Sequence, residues 1–378
     1  MRLVPFELER WFDQYEFKVE LNMAASCVAA TTTAELLDLA GPEARRAYLD
    51  LSLDYIEAPG TPAYREAVAS WYERLSADDI QATTGAAEAI FIVMNVLVGP
   101  GDRLVVESPN YQSLAEVARA AGAEVLAWPM RPENGWRPDL DELRGLLRRG
   151  RVKAVVVNHP HNPTGAMLPR DEQGEVLSLA EAAGARLVSD EVYRGLSYDP
   201  ADALPPAADL SERAVSLGDM TKPFGLGGLR AGWIATRDRR LLHACGSVRD
   251  YTSLCGAAPS EFLAAIALKH RDALLARKMA IARANREAFA ALVARHPDRL
   301  SWTPPKGGVT AFPAYSAPVD SRTFCRGLVE RFSTLLLPWA VYELEGHFRV
   351  GFGRRQGGFL EGLRRFEEYL TTVWMGTS

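Results

Sequence analysis

The sequence predicts an α/β fold, a mostly parallel sheet sandwiched by helices, with a smaller α+β domain appended. Three observations predict it. From about Arg65 to Thr236 helical and strand patterns alternate, as they do where crossover helices join parallel strands. Residues 153–158 (Lys-Ala-Val-Val-Val-Asn) form a β-branched run closed by turn residues, which reads as a strand buried on both faces. After Tyr251 the texture shifts to a long helical stretch rich in alanine and arginine, followed by short strands between helices.

The elements follow in order. Residues 86–98 read as a helix, 103–107 as a short apolar strand, 112–121 as a helix, 124–128 as a strand and 139–148 as a helix. After the strand at 153–158 come a helix at 170–183 and strands at 186–189, 214–217 and 229–235. Residues 260–295 carry a helical pattern long enough for more than one helix, bridging to a second unit. That unit reads as strands at 309–312, 335–337 and 347–351 with helices at 321–332 and 358–370. The expected division is an N-terminal segment, 1–45, packed with the small domain; a large domain, 46–258; and a linking helix with the small domain, 259–378. The active site is expected at the carboxyl ends of the parallel strands.

Composition excludes several classes. The 378 residues carry 43 basic and 48 acidic side chains, a net charge of −5, so there is no basic footprint for a nucleic-acid partner. Residues 1–20 mix Arg2, Glu7, Glu9, Arg10 and Asp13 with apolar residues, unlike a signal peptide. The longest apolar run, residues 89–98, is broken by Asn95 and is too short to cross a membrane. Cys27, Cys245, Cys255 and Cys325 are scattered without a CxxC pair, which points to reduced thiols in the cytoplasm. The six histidines form no ligand pattern, so no metal is expected. Only six of the basic residues are lysines (Lys18, Lys153, Lys222, Lys269, Lys278 and Lys306), and chemistry that needs an amine must use one of them.

Four turns hold the residues that carry chemistry. In the first, Thr83-Thr-Gly-Ala-Ala-Glu, Gly85, Ala86 and Ala87 open a helix whose free N–H groups make an anion site; a plain helix start explains the same residues. The second, residues 158–165 (Asn-His-Pro-His-Asn-Pro-Thr-Gly), holds Asn162 between prolines directly after the clearest strand, where a cis peptide can aim a side chain. His159 and His161 flank it as loop residues. In the third, Asp190 and Tyr193 stand at the end of the next strand; an Asp there often only caps the following turn. In the fourth, Lys222 precedes a proline in a glycine-rich loop, with Arg230 eight residues on; a lone loop lysine is ordinarily a solvated charge.

Together and in this order, the four motifs resemble the class I/II aminotransferases, enzymes of fold type I that depend on pyridoxal 5'-phosphate (PLP). Their pattern is an Asn-Pro-Thr-Gly turn, an Asp-x-x-Tyr strand end, a Schiff-base lysine and an arginine eight residues later. The resemblance runs from about Leu53 to Phe352. It implies that Lys222 forms the Schiff base with PLP and shuttles the substrate's proton, a role arginine could not fill because it does not deprotonate. It implies that Asp190 pairs with the pyridinium nitrogen, that Asn162 and Tyr193 hydrogen-bond the ring's phenolic oxygen, and that Tyr111 stacks on the ring. Gly85, Ala86, Ala87, Thr221 and Arg230 would hold the phosphate end, with Arg230 giving a charge-assisted bond. Arg349 would grip the substrate's α-carboxylate, and Tyr55 would reach the phosphate of a neighbouring subunit, so each site would be completed within a homodimer. The implied activity is transfer of the amino group of an α-amino acid to a 2-oxo acid.

Three features depart from the usual pattern. Thr221 and Asp219 stand where the family commonly has serines, and Asp219 beside a phosphate would repel it unless turned away or paired. Residues 337–341 lack the usual Pro-Gly-Ser pattern. The stretch Arg249-Asp-Tyr-Thr-Ser and the form of the lysine loop resemble a branch that includes capreomycidine synthases, which cyclise a hydroxylated arginine on the same scaffold. β-Elimination, replacement, cyclisation or oxidation are therefore alternatives to transamination. Pocket walls are expected from residues 23–30, residues 251–254 and a partner subunit.

Overall fold

The structure is a computed structural model, and it describes residues 2–342 and 345–375. After a short N-terminal strand, β1 (Leu21–Asn22), the chain builds one large sheet. Its strands are β2 (Ile80–Thr83), β3 (Arg103–Ser108), β4 (Glu124–Pro129), β5 (Val152–Asn158), β6 (Arg186–Asp190), β7 (Ala214–Asp219) and β8 (Gly232–Ala235). Their spatial order is β2-β8-β7-β6-β5-β3-β4. All neighbours run parallel except β8, which is antiparallel to both β2 and β7.

Alternation of side chains explains why β5 reads as a continuous apolar run. Ala154 and Val156 pack into one hydrophobic layer with Val188 and Leu217, while Val155 and Val157 pack into the opposite layer with Leu168 and Val176. A strand covered on both faces needs apolar residues at every position. Each fully buried valine contributes about 1.5–3 kcal/mol against exposure. The helix Gly85–Leu97 is apolar on nearly all sides because it too is enclosed, with Ala89, Ile90, Ile92, Val93 and Met94 buried between the sheet and the helix Arg239–Arg249. The two inner parallel strands β5 and β6 are in register such that Asn158 lies beside Asp190.

The bridging stretch is two helices, Ala258–Lys269 and Arg271–Arg295, broken at His270. Leu274 packs with the large unit around Trp233, whereas Met279, Ala282, Phe289 and Leu292 pack with the second unit. That unit holds β9 (Leu300–Ser301), β10 (Thr310–Ala311), β11 (Ala314–Tyr315), β12 (Thr334–Leu335), β13 (Leu337–Pro338) and β14 (Phe348–Gly351). The apolar run expected as one strand at 335–337 divides at Leu336: β12 pairs with β1 and β13 with β14. The N-terminal segment divides as well. Trp11, in the helix Glu7–Tyr15, donates from Nε1 to the Leu336 carbonyl at 3.0 Å, but Leu36 and Leu37 bury against Tyr64 and Leu263 of the large unit.

The strand expected at 229–235 starts only at Gly232, because residues 227–229 form a tight turn and Arg230 takes a left-handed conformation, φ 50°. Close approach explains the glycine that follows. A Cβ on Gly232 would lie 2.6 Å from the Gly85 carbonyl carbon and 2.9 Å from the Ala86 nitrogen. Gly232→Ala is therefore expected to destabilise the fold by about 1–3 kcal/mol, the usual cost of overpacking. Gly228→Ala, where nothing lies within 4 Å, is the control and should leave the urea midpoint unchanged. Equal midpoints for G232A and the parent protein would show that the contact yields.

Candidate active site

The carboxyl ends of β5, β6 and β7 meet the start of the helix Gly85–Leu97 and the strand β14 around a cavity of about 270 Å³. Ten of the twelve residues expected at the site line it: Ala86, Ala87, Tyr111, Asn162, Asp190, Tyr193, Thr221, Lys222, Arg230 and Arg349.

Asp190 ends β6 at the cavity floor, fully buried. Burial pushes its carboxyl up to about 7; Asp219 adds to the rise, while the N–H of Val192, donating to Oδ1 at 3.2 Å, opposes it. Asn158 ties the neighbouring loop to this strand end. Its Nδ2 donates to the Asp190 carbonyl at 2.9 Å, and its Oδ1 accepts the Asn162 N–H at 2.8 Å. The Asn158 N–H itself donates to Glu107, whose other oxygen lies 2.8 Å from Nε2 of His159. The Asn162–Pro163 peptide is cis. The two histidines, loop residues as expected, are buried: His161 sits between Thr164 Oγ1 and the Pro109 carbonyl, and burial lowers its pKa to about 4.

Lys222 stands in the short helix Thr221–Phe224 that follows β7, and its Nζ makes one long contact, 3.3 Å, to Ser26 Oγ. Asp219 lines the cavity with its Oδ1 turned to the backbone, accepting the N–H of Thr221 at 2.9 Å and of Lys222 at 3.3 Å. That arrangement answers the repulsion expected of a free carboxylate there. Tyr193 is buried. Burial drives its phenol well above the usual range, partly offset by Arg349 and Ser26, yet among the described residues no hydrogen bond of ordinary geometry reaches its hydroxyl. Tyr111 is likewise pushed up to about 12 by burial.

At the other wall, Thr84 makes no side-chain cap on the helix Gly85–Leu97, so the first-turn N–H groups stay open to a ligand. Gly85 does not line the cavity but makes room for its lid: a Cβ there would meet Arg230 Nη2 at 2.6 Å. Arg349 is 1% exposed. Its Nε and Nη2 donate to the Ala24 carbonyl at 3.2 and 2.9 Å, and Nη1 donates to Asn162 Oδ1 at 3.1 Å and the Tyr342 hydroxyl at 3.0 Å. One Nη2 hydrogen remains for a ligand.

Tyr55 is 82% exposed and does not line its own chain's cavity. Residues 251–254 do not line it either, whereas Ala25, Ser26 and Cys27 do, as expected of residues 23–30. Sequence reasoning missed Asn158, Tyr342 and the N-terminal helix, which contributes Leu8, Glu9 and Phe12. Asn158 carried a signal, since it closes the clearest strand. The helix carried none, because its residues lie over 200 positions from Lys222.

The chain belongs to the aminotransferase class I and II family, whose model matches residues 40–365. It is 35% identical over 367 residues to a capreomycidine synthase from Streptomyces vinaceus, covering 97% of this chain and 93% of that protein. Among solved structures it resembles a PLP-dependent aminotransferase from Streptococcus suis (29% identity, TM-score 0.94, 99% of each chain). It also resembles a PLP-dependent cyclase, OrfR (33% identity, TM-score 0.90, 98% of each chain). The fold class expected from the sequence, with its mostly parallel sheet, and the family resemblance are both borne out.

The cofactor is pyridoxal 5'-phosphate, and the residues present fit it. The orphaned Tyr193 hydroxyl suits a phenolic oxygen, the uncapped helix start suits a phosphate, the buried Asp190 suits a ring nitrogen, and the loosely held Lys222 amine suits an aldehyde.

Asp190 gives a pH prediction for the cofactor-free protein. Its folded pKa lies above the unfolded value near 3.8, so its contribution to stability is full below about pH 4 and is lost as pH rises through about 7. The loss amounts to about 4 kcal/mol at most. Asp190→Asn removes the titration, so cofactor-free D190N should keep a flatter urea midpoint between pH 4 and 8. Parallel pH profiles for the two proteins would contradict this.

Proposed function

We propose that the protein is a PLP-dependent enzyme that transfers the amino group of an α-amino acid to a 2-oxo acid. The observation that carries this reading is that the Lys222 amine, the Arg349 guanidinium and the Asp190 carboxylate open into one cavity. When bound, PLP supplies an electron sink for the pair left at the substrate's Cα. Every other part is played by the chain.

Arg349 holds the substrate's carboxylate with its remaining Nη2 hydrogen, sharing Nη1 with Asn162 or Tyr342. The bond fixes the orientation of Cα, and Lys222 Nζ accepts the Cα proton, which a neutral lysine can do and arginine cannot. Burial raises the Asp190 carboxyl to about 7. Asp190 would hold a protonated ring nitrogen as the carboxylate, because an opposite charge lowers a raised pKa. Asn162 would offer its Nδ2 and Tyr193 its hydroxyl to the ring's oxygen, Tyr111 would cover the ring face, and Ala86, Ala87, Thr221 and Arg230 would take the phosphate. Leu8 and Phe12 line the cavity with apolar surface.

The outward face of Leu49, Leu53 and Tyr55, all more than 70% exposed, supports a homodimer in which Tyr55 reaches the partner's site, since apolar patches of this kind usually meet a partner. The scattered free cysteines support a reducing, cytoplasmic setting.

A second reading is loss of a β-substituent and ring closure of an arginine derivative. The likeness to a capreomycidine synthase across 97% of the chain, and to a PLP-dependent cyclase across 98% of each chain, favours it. One experiment separates the two: candidate amino acids are mixed with the PLP-loaded protein and the bound cofactor's absorbance is followed. Stoichiometric conversion of the cofactor to its amine form is the mark of transamination. Catalytic loss of a β-substituent without that conversion would replace it with the second reading.

Two variants test the assignments. Lys222→Ala should abolish turnover while circular dichroism shows an intact fold and PLP binds without a covalent link; retained turnover would overturn the role of Lys222. Arg349→Lys should weaken amino-acid binding by roughly 10- to 100-fold, the usual loss with a charged hydrogen bond, with a much smaller change in PLP affinity. Equal losses for both ligands would place the carboxylate on another residue.

A further inference from the structure

The helix Glu7–Tyr15 is held in place from three sides. Trp11 donates to the Leu336 carbonyl, Gln112 accepts the Glu7 N–H at 2.9 Å, and Arg322 pairs with Glu7 at 2.7 Å. Glu9 and Phe12, three residues apart, share one helical face, and Glu16, the C-terminal cap residue, continues it. All three line the cavity that holds Lys222 and Arg349. Phe12 packs its ring 5.8 Å from the Arg349 guanidinium carbon. Glu16 is partly engaged, its Oε1 accepting from Asn22 at 3.1 Å, but among the described residues no hydrogen bond or ion pair is formed by the Glu9 carboxylate. A half-buried carboxylate without a partner in a ligand cavity is costly unless the ligand supplies one.

The cavity's other polar groups show what the ligand does not need from Glu9. The buried, unpartnered Tyr193 hydroxyl marks the cofactor end, and Arg349, with its one spare hydrogen, marks the substrate's carboxylate. Both nearby cations, Lys222 and Arg349, pull the Glu9 carboxyl down while burial, the larger influence, raises it. Once Arg349 holds a carboxylate and Lys222 is engaged in chemistry, neither balances the acids on the helix. The remaining atoms of an α-amino acid are its side chain.

We propose that Glu9, backed by Glu16, recognises a cationic side chain on the substrate, so that the enzyme selects α-amino acids carrying a guanidinium or ammonium group. The proposal rests on the α-amino-acid reading given above and is indifferent to whether the outcome is transamination or ring closure. Phe12 supplies an apolar face for the methylene stem, and the carboxylates take the charged end. Anionic side chains are rejected by the same acids.

The test is a titration of PLP-loaded protein with L-arginine, L-ornithine and L-citrulline, read from the bound cofactor's absorbance as a dissociation constant. Citrulline matches arginine in shape and lacks its charge. Arginine or ornithine should bind at least about tenfold more tightly than citrulline, the effect of one charge-assisted hydrogen bond. Glu9→Gln should erase that preference by weakening arginine and ornithine binding, with Glu16→Gln giving a smaller change in the same direction. Equal binding of the charged and neutral amino acids to the parent protein, or an unaltered preference in E9Q, would overturn the assignment and leave the α-amino-acid reading standing. A cofactor band that responds to none of the amino acids would bring down that reading and this one together.

Discussion

The site depends on one tie, made by the side chain of Asn158. A single amide joins the carbonyl of Asp190 on β6 to the backbone of Asn162 in the loop after β5, while the Asn158 N–H is held by Glu107 at the end of β3. Three neighbouring strand ends are thereby locked at one level. All of these groups are buried, and a buried hydrogen bond to a carboxylate is worth more than one in water because no solvent competes for it. Without the tie, the loop that aims Asn162 toward Arg349 would have no fixed distance from the strand that carries Asp190.

The cavity is a joint product of two units and of the N-terminal segment between them. The large sheet supplies the floor, β14 supplies Arg349, and the guanidinium is oriented by the Ala24 carbonyl from the chain's beginning. The charges inside are balanced locally. Asp219 spends its Oδ1 on backbone N–H groups, Asp190 is raised by burial, and Arg230 lies over the open helix start. Two antiparallel pairings of β8 are part of this arrangement. They let the lysine loop return directly beside β7, so that Lys222 follows the strand end by three residues and Arg230 comes back over Gly85.

Much of the large unit was legible in the sequence. The strands at 103–108, 152–158 and 186–190 announced themselves because a doubly covered strand must be apolar, the edge strand at 124–129 because Leu126 and Trp128 alternate with less buried residues, and their helices because one face repeats. Strand β2, Ile-Gln-Ala-Thr, was not legible: four residues with one β-branched residue at each end have too little pattern, and their burial comes from β8 and from the helices around them. The two-residue strands β9 and β11 escaped for the same reason, and the division at Leu336 follows from pairing with β1, a partner more than 300 residues away.

What the sequence by itself determined was the chemistry at each turn: a lysine able to lose a proton, an acid at a strand end, an arginine on the last strand, and a glycine opening a helix. These are properties of residue types and short spacings, so they survive without coordinates. Only the tertiary structure decided which groups share a cavity. It placed Phe12 against Arg349 with Glu9 in the same cavity, turned Asp219 toward the backbone, buried His159 and His161, and left Tyr55 outside its own site. Each of those outcomes depends on contacts between segments distant in the chain, and neither the spacing of residues nor their local propensities records such contacts.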